Sequence, residues 1–451
     1  MSRDILENIS ALLAEGKLAD LREQLCDMNV VDIAQAMESL PEDELLRIFR
    51  ILPKDISADV FSYLEPDSQA QLLNLITDTE LENLLDDMFL DDTVDFLEEV
   101  PANVVRRVLA KADSETRCLI NRFLKYPENS AGSIMTIEMV ELHDFFTVGQ
   151  AIEHIRSTAV DKETVYTCFC IDDKRHLIGT VALHTLLMAK DNELIRDIMD
   201  TDSQLICVNT LDDQEKVADI ARKYDLLSVP VVDNEARLVG IITIDDIVDV
   251  IEDENTEDFE KMAGIVPSED TYLKTPVFTI FRSRIMWLMV LMVSAMVSGA
   301  LITHFEGAIS TLPILVSFIP MLMGTGGNSG SQTSTTVIRS MALDEIELSD
   351  FFRVWWKEVR VALLCGTALA IVNYIRIVLQ YHDWAVAMTV SLTLIVTVLV
   401  AKSLGCILPM LAKKLKLDPA LMASPMLTTI TDACSILVFF IFVMAILGGR
   451  L

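Results

Sequence analysis

The feature that most limits the fold is a series of five apolar runs in the second half of the chain, at about 283–304, 312–337, 359–380, 384–411 and 419–447. Each reaches the roughly 20 residues that an α-helix needs to cross a bilayer. Backbone polar groups in lipid must be satisfied within the segment, so helices are the expected spanning elements. Basic residues sort the loops. Arg282 and Arg284 flank the first run. Arg339, Arg353, Lys357 and Arg360 separate the second from the third, and Lys413, Lys414 and Lys416 separate the fourth from the fifth. The loops at 304–310 and 380–384 carry no Lys or Arg. Basic loops favour the cytoplasmic side, so the N-terminal half is expected in the cytoplasm and Leu451 on the outside.

The last run contains Thr428-Thr429-Ile430-Thr431-Asp432, with Asp432 near its middle. A carboxylate at membrane depth is costly unless it faces water, an ion or a partner group. It is either a polar clamp between helices or a cation site. The second run reads Pro320-Met321-Leu322-Met323-Gly324-Thr325-Gly326-Gly327-Asn328-Ser329-Gly330-Ser331-Gln332. No Gly-Lys-Ser/Thr follows, so a phosphate-binding loop is a weak reading. Glycine and Pro320 at this depth predict an opened helix, whose freed carbonyls would line a cavity. Together with Asn328, Gln332 and Asp432 they offer hard oxygen ligands, the kind that Mg²⁺ prefers.

The net charge of −32 is distributed unevenly. Residues 271–451 hold 13 basic and 9 acidic side chains, which leaves 23 and 59 for residues 1–270. An acidic half of this kind repels nucleic acid and needs counter-cations. Residues 1–16 are amphipathic and acidic, without the short apolar core of a signal peptide. The eight cysteines are scattered and are read as reduced thiols. Cys168 and Cys170 lie close together in a strand-like run and lack the further ligands of a metal site.

Residues 1–128 show helical periodicity, with Val31, Ile33, Ala34, Met37 and Leu40 on one stripe. Pro41, Pro53, Pro66 and Pro101 each follow a helix end and begin the next helix, as proline at a first helical position does. Their spacing suggests short helices stacked in a superhelical array. Asp86, Asp87, Asp91, Asp92, Asp95, Glu98 and Glu99 recur at intervals that set like charges side by side. They form a solvated face, or a cation-binding face completed by another domain.

Residues 129–253 contain a duplication. Leu177-Ile178-Gly179-Thr180-Val181-Ala182-Leu183 returns as Leu238-Val239-Gly240-Ile241-Ile242-Thr243-Ile244, about 61 residues later. Each copy reads strand, helix, strand, strand, helix. This arrangement resembles a tandem pair of CBS domains. The resemblance implies a place for ATP or another adenine nucleotide at a Gly-x-x-Thr-x-x-Asp turn. Gly240, Thr243 and Asp246 keep that pattern, whereas the first copy has Ala182 and Thr185 at the last two positions. The turn either binds nucleotide through Thr243 and Asp246 or simply joins strand to helix. Residues 249–264 form an acidic helix that leads towards the membrane and is broken by Gly264 and Pro267.

The glycine-rich string from Pro320 to Gln332, Asp418-Pro419-Ala420 and Thr428-Thr429-x-x-Asp432 together resemble the MgtE family of magnesium channels. So does Tyr126-Pro127-Glu128-Asn129-Ser130-Ala131-Gly132, followed by Met135-Thr136, at the start of the CBS pair. The resemblance covers essentially the whole chain. It implies a multidomain protein: an all-α superhelical N domain (1–128), an α/β tandem CBS pair (129–253), a connecting plug helix (254–280) and a five-helix transmembrane pore domain (281–451).

It also implies a homodimer in the inner, or plasma, membrane, in contact with lipid and with no nucleic-acid partner or enzymatic activity. Pore and selectivity residues would be Asp432, Asn328, Gly324, Thr428, Thr429 and Asp418, with Asp432 and Asp418 facing Mg²⁺. Regulatory Mg²⁺ would be held by Asp59, Asp91, Asp95, Asp213, Glu215, Asp225, Asp246, Asp249, Glu254, Glu257 and Asp258. Asp59 is one methylene shorter than the Glu expected there. Mg²⁺ bridging these acids would hold the plug shut, and its loss would let them repel. A broader divalent channel that passes Mn²⁺ or Co²⁺, and a CBS-based membrane sensor without transport, are the alternative readings.

Overall fold

The computed structural model describes residues 3–159, 162–201, 205–267, 272–273, 275–422 and 424–449. Leu451, and part of the 254–280 connector, lie outside those residues. The chain divides into two compact units that meet at Glu252 and Asp253, and each is described by itself.

The first unit begins with short helices from α1 (Arg3–Glu15) to α10 (Ser114–Phe123). Pro41, Pro53 and Pro101 occupy N-cap positions, and Pro66 lies in the first turn of its helix. A missing N–H costs nothing there, which is why one residue type punctuates the array. Polar caps do the same work elsewhere. Thr77 and Glu80 form a capping box, and Asp113 accepts the Thr116 amide at 2.6 Å. The buried face is apolar, with Ile33, Met37, Ile48, Phe61, Leu72 and Val94 almost fully enclosed.

Two three-stranded sheets follow, with strand orders β1-β2-β3 and β4-β5-β6. The first holds β1 (Glu141–His143), β2 (Thr167–Ile171) and β3 (Leu177–Ala182). The second holds β4 (Val208–Asn209), β5 (Ser228–Val232) and β6 (Leu238–Thr243). In each, the first pair is parallel and the second antiparallel, and a crossover helix joins the parallel strands: α11 (Val148–Thr158) in one and α14 (Gln214–Tyr224) in the other. Cys168 and Cys170 are both buried in β2.

The copies exchange short segments. Thr136, which leads into the first copy, pairs with Ile241 of β6, and Asp200, which leads into the second, pairs with Thr180 of β3. The glycines of the duplicated strands make this possible. A Cβ on Gly240 would stand 2.6 Å from the Thr136 carbonyl oxygen, and one on Gly179 would stand 3.1 Å from that of Asp200. The long helix α15 (Ile244–Met262) continues from β6 and runs past the division between the units.

The second unit is helical. Its long helices are α16 (Val277–His304), α18 (Ile319–Ala342), α19 (Phe351–Tyr381), α20 (Trp384–Lys414) and α21 (Ser424–Leu447), with the short α17 (Glu306–Thr311) after α16. Among the described residues, four helices are long and apolar enough to cross a membrane, at Val277–His304, Leu348–Tyr381, Trp384–Lys414 and Pro425–Leu447. Helix α20 is the centre of the packing. Its most apolar stretch is 61% buried, against 6% for α16 at the edge.

Helix α18 is not among the four, because glycine, serine and threonine dilute its apolar character. It is nevertheless continuous over 24 residues, and this corrects the expectation of an opened helix. Pro320 falls in its first turn, where no amide is needed. The glycines serve close packing instead of a break. A Cβ on Gly327 would meet Thr428 Cγ2 at 2.7 Å, one on Gly330 would meet the Ala401 carbonyl oxygen at 3.2 Å, and one on Gly405 would meet the Gly330 carbonyl oxygen at 2.4 Å.

Candidate cation sites

Asp432 is positioned by α21. Thr428, Asp432 and Ser435 recur at four and three residues, so they share one face of the helix. Thr428 and Ser435 both abut α18, against Gly327 and Gly326 respectively. Asp432 lies between them on that face. The local hydroxyls are largely committed to their own helix: Thr429 donates to the Pro425 carbonyl at 3.0 Å, Thr431 to Thr428 at 2.9 Å and Ser435 to Thr431 at 2.6 Å. Asp432 Oδ1 is buried and has no hydrogen-bond partner among the described residues. A buried acceptor without a donor is costly, and a cation or its bound water would supply what is missing.

Gly324, Asn328 and Gln332 follow one another at four-residue steps on α18 and are exposed in the single chain, as are Thr335 and Thr336. This is a polar stripe on a helix otherwise packed among membrane helices. Asp418 stands before α21, where its carboxylate caps the turn by accepting the Ala420 amide at 2.8 Å. It also receives the ammonium of Lys261 from α15 at 2.9 Å, and Glu257 holds the same ammonium at 2.6 Å. The neighbouring Asp258 has its carboxyl raised above the usual range, first by burial and then by the Asp418 charge. Glu254 lies one turn earlier on α15.

The sequence candidates omit an intramembrane group. Lys402 of α20 and Glu358 of α19 lie 3.7 Å apart, both largely buried, and Thr333 of α18 links them. Its hydroxyl donates to Glu358 at 2.8 Å and accepts from Lys402 at 3.1 Å. One lysine inside an apolar run was signal enough to have flagged it.

In the first unit the structure gathers acids from distant parts of the chain. Asp59 lies on α5 (Lys54–Ser62), Asp91, Asp92 and Asp95 on α8 (Leu90–Glu99), and Asp246 and Asp249 on α15. Burial, and then the Asp92, Asp246 and Glu163 carboxylates, push Asp91 well above the usual range. Burial with Asp246, Asp59 and Asp245 pushes Asp92 up to about 6. Burial with Asp92, Asp245 and Asp246 pushes Glu163 up to about 7. Asp246 is raised by burial, although the Thr243 hydroxyl donates to it at 2.6 Å and opposes the shift. Charges that raise one another in this way form a cation-seeking face.

Asp92, singled out in the sequence as part of an acidic run on a solvated or cation-binding face, belongs to this face, and so do Glu163, Asp245 and Glu138, which were not among the sequence candidates. Glu163 and Glu138 lie in irregular segments, without a period that could single them out. Asp213 and Asp225 instead bracket α14. Asp213 accepts the Glu215 amide at 2.9 Å as its N-cap, and Asp225 closes the other end with φ 53°. No three His, Cys, Asp or Glu side chains among the described residues stand close enough to hold an ion as a closed ligand set. The acids of this face are hard oxygen donors, the kind of ligand that Mg²⁺ prefers.

An acidic α-helical array is followed by a CBS-like pair and then by a bundle of membrane-length helices that holds an unpartnered carboxylate. A profile described as a divalent cation transporter matches residues 319–442, one for the MgtE intracellular N domain matches 28–129, and one for the CBS domain matches 195–253. The chain is 32% identical to a magnesium transporter MgtE of Thermus thermophilus over 443 residues, covering 97% of this chain and 98% of the relative. It is 29% identical to a magnesium transporter MgtE of Bacillus subtilis over 97% of this chain and 96% of that one.

Among solved structures, the cytosolic domain of the Mg²⁺ channel MgtE in complex with ATP aligns with a TM-score of 0.52 and 33% identity. It covers 54% of this chain and 99% of that one. The soluble part of a magnesium transporter aligns with a TM-score of 0.52 and 31% identity, covering 55% of this chain and 97% of that one. The chain belongs to the MgtE family.

Proposed function

We propose that the protein is a Mg²⁺-selective channel of the plasma, or inner, membrane, gated by Mg²⁺ on its cytoplasmic face. The observation that carries this reading is the buried, unpartnered Oδ1 of Asp432 on α21, the helix whose Thr428 and Ser435 abut the glycines of α18. The polar stripe through Gly324, Asn328 and Gln332 supports a pore shared by two copies of the chain. A polar face is disfavoured against lipid and stabilised against water or a second copy. In this arrangement Asp432, with Thr428 and Thr429 nearby, holds a hydrated Mg²⁺, and α18 crosses the membrane as a fifth span.

The roles follow the chain. Residues 1–128 and 129–253 sense, 254–280 act as plug, and 281–451 conduct. Asp59, Asp91, Asp95, Asp246 and Asp249 face cytoplasmic Mg²⁺ in the sensor, with Asp92 and Glu163 added to the set. Asp213, Glu215 and Asp225 extend that set at the ends of α14. Glu254, Glu257, Asp258 and Asp418 serve at the cytoplasmic mouth. Thr243 and Asp246 could serve one nucleotide or one metal, and their acidic surroundings favour the metal.

The test is Mg²⁺ flux into liposomes carrying the wild type or Asp432→Ala, with Mg²⁺ varied on the cytoplasmic face. Flux that vanishes in the variant, and that falls in the wild type as cytoplasmic-face Mg²⁺ rises, is the expected result. Equal flux in both proteins would remove Asp432 from the pore. Parallel runs with Mn²⁺ and Co²⁺ decide the breadth of selectivity, and absence of flux in the wild type would return the weight to a sensor without transport.

A further inference from the structure

Helix α19 carries three bases on one face in its first turns. Arg353, Lys357 and Arg360 stand at i, i+4 and i+7 and fall, with Leu364, within a sector of about 60° at the α-helical repeat. All four side chains are exposed in the single chain. The opposite side of the helix is pinned to α20. The Trp355 indole donates to the Ser403 hydroxyl at 3.2 Å, Glu358 meets Lys402, and a Cβ on Gly366 would stand 3.2 Å from Ile395 Cα. The register of the helix therefore turns the bases away from α20.

These charges are unanswered. The chain has 68 acidic against 36 basic side chains, yet Arg353 and Lys357 make no ion pair among the described residues, and Arg360 donates to the Trp356 carbonyl of its own helix at 3.4 Å. Glu358 is the one acid in α19, and it faces Lys402. Beyond Arg360 the face turns apolar. Residues 361–375 contain no charged side chain, and Leu364 and Ile371 continue the line of the bases with most of their surface exposed. Phe352 and Trp356 flank the bases and are also largely exposed. Cations, then aromatic rings, then bare hydrocarbon is the order of layers met on passing from lipid headgroups into acyl chains.

We propose that this face of α19 binds an anionic phospholipid of the cytoplasmic leaflet, with its phosphate among Arg353, Lys357 and Arg360 and an acyl chain along Leu364 and Ile371. The side of the membrane rests on the orientation given for the channel, whereas the binding itself needs no transport. Guanidinium and ammonium groups one helical turn apart are neighbours and can converge on one phosphate group. An acidic protein surface would match the charges as well, but it would leave Trp356, Leu364 and Ile371 without apolar cover. A phosphodiester with acyl chains answers both halves of the face. Trp355 and Glu358 fix the same turns to α20, so a headgroup seated here clamps the foot of α19 from the lipid side while α20 holds it from within the bundle.

The test is native mass spectrometry of the full-length protein in neutral detergent, titrated with phosphatidylglycerol and with phosphatidylcholine of the same acyl chains. Phosphatidylglycerol should bind the wild type more tightly. Arg353→Gln with Lys357→Gln should weaken it about fivefold for each base removed, while phosphatidylcholine is unaffected. Lys414→Gln with Lys416→Gln, which removes two exposed bases elsewhere in the second unit, should change neither. All four substituted side chains are exposed, so the fold is kept. Equal affinity of the wild type for the two lipids would overturn the proposal. So would phosphatidylglycerol binding that survives the Arg353 and Lys357 changes, or that falls equally with the Lys414 and Lys416 changes. Displacement of the bound lipid by inorganic phosphate would also overturn it, because the site would then read a free anion. Mg²⁺ flux plays no part in these readings, so failure of the channel reading and failure of this one are separate results.

Discussion

The ammonium of Lys261 joins α15 to the foot of α21, at 2.9 Å from Asp418 and 2.6 Å from Glu257. Burial opposes its charge, but hydrogen bonds to Glu257 and Asp418 outweigh that and hold its pKa above the usual lysine range. A tethered cation therefore occupies carboxylates that a divalent ion could use. Lys261→Met frees both. In the proposed gate, cytoplasmic Mg²⁺ then closes the channel at a concentration lower by roughly fivefold, the equivalent of about 1 kcal/mol. Flux measured against cytoplasmic-face Mg²⁺ checks this. An unshifted curve would make the ion pair a bystander.

The buried pair Lys402–Glu358 carries a different expectation. Removing one partner leaves an uncompensated charge, which costs about 3–5 kcal/mol in a buried setting. Lys402→Met should therefore lower the melting temperature in detergent sharply. The double change Lys402→Met with Glu358→Leu should recover much of the loss, since apolar replacement of a whole buried pair is often neutral. Equal damage from the single and double changes would show that the charges act on something other than each other.

Gly405 is required by contact and not by conformation. Its Cβ would stand 2.4 Å from the Gly330 carbonyl oxygen, and backbone cannot swing aside as a side chain can. Gly405→Ala should separate α18 from α20 and cost about 1–3 kcal/mol. Gly324→Ala, where nothing lies within 4 Å, should cost far less. Paired melting curves of the two variants test this, and equal shifts would remove the packing argument.

How much of this was legible in the sequence depended on period. The duplicated strands show alternation and a 61-residue offset, so the CBS-like pair could be read directly. The exchange of Thr136 and Asp200 between copies rests on isolated bridges too short to leave a pattern. The glycine segment misled for a physical reason. A glycine that breaks a helix and one that admits a neighbouring helix look the same in sequence, and only packing against Thr428, Ala401 and Gly405 separates them. Asp432 stood out because a carboxylate in an apolar run violates its surroundings. Glu163 did not, because an acid in an acidic half violates nothing until folding brings Asp92 and Asp246 beside it.

That convergence sets a pH dependence. Asp92 and Glu163 titrate near 6 and 7 in the folded protein, above their ordinary carboxylate values, because burial and neighbouring acids disfavour the charged form. A group whose folded pKa is raised binds more protons folded than unfolded between the two values, so stability falls as pH rises through that window. The penalty is absent below about pH 4, grows between about pH 4 and 7, and is fully present above. Mg²⁺ on the acidic face compensates the same charges. Thermal melts of the protein without Mg²⁺ should therefore show higher stability at pH 5 than at pH 7.5, and added Mg²⁺ should stabilise more at pH 7.5. Asp92→Asn with Glu163→Gln should flatten both dependences. If the variant keeps the wild-type response to Mg²⁺, the ion acts elsewhere and this face is only a solvated surface.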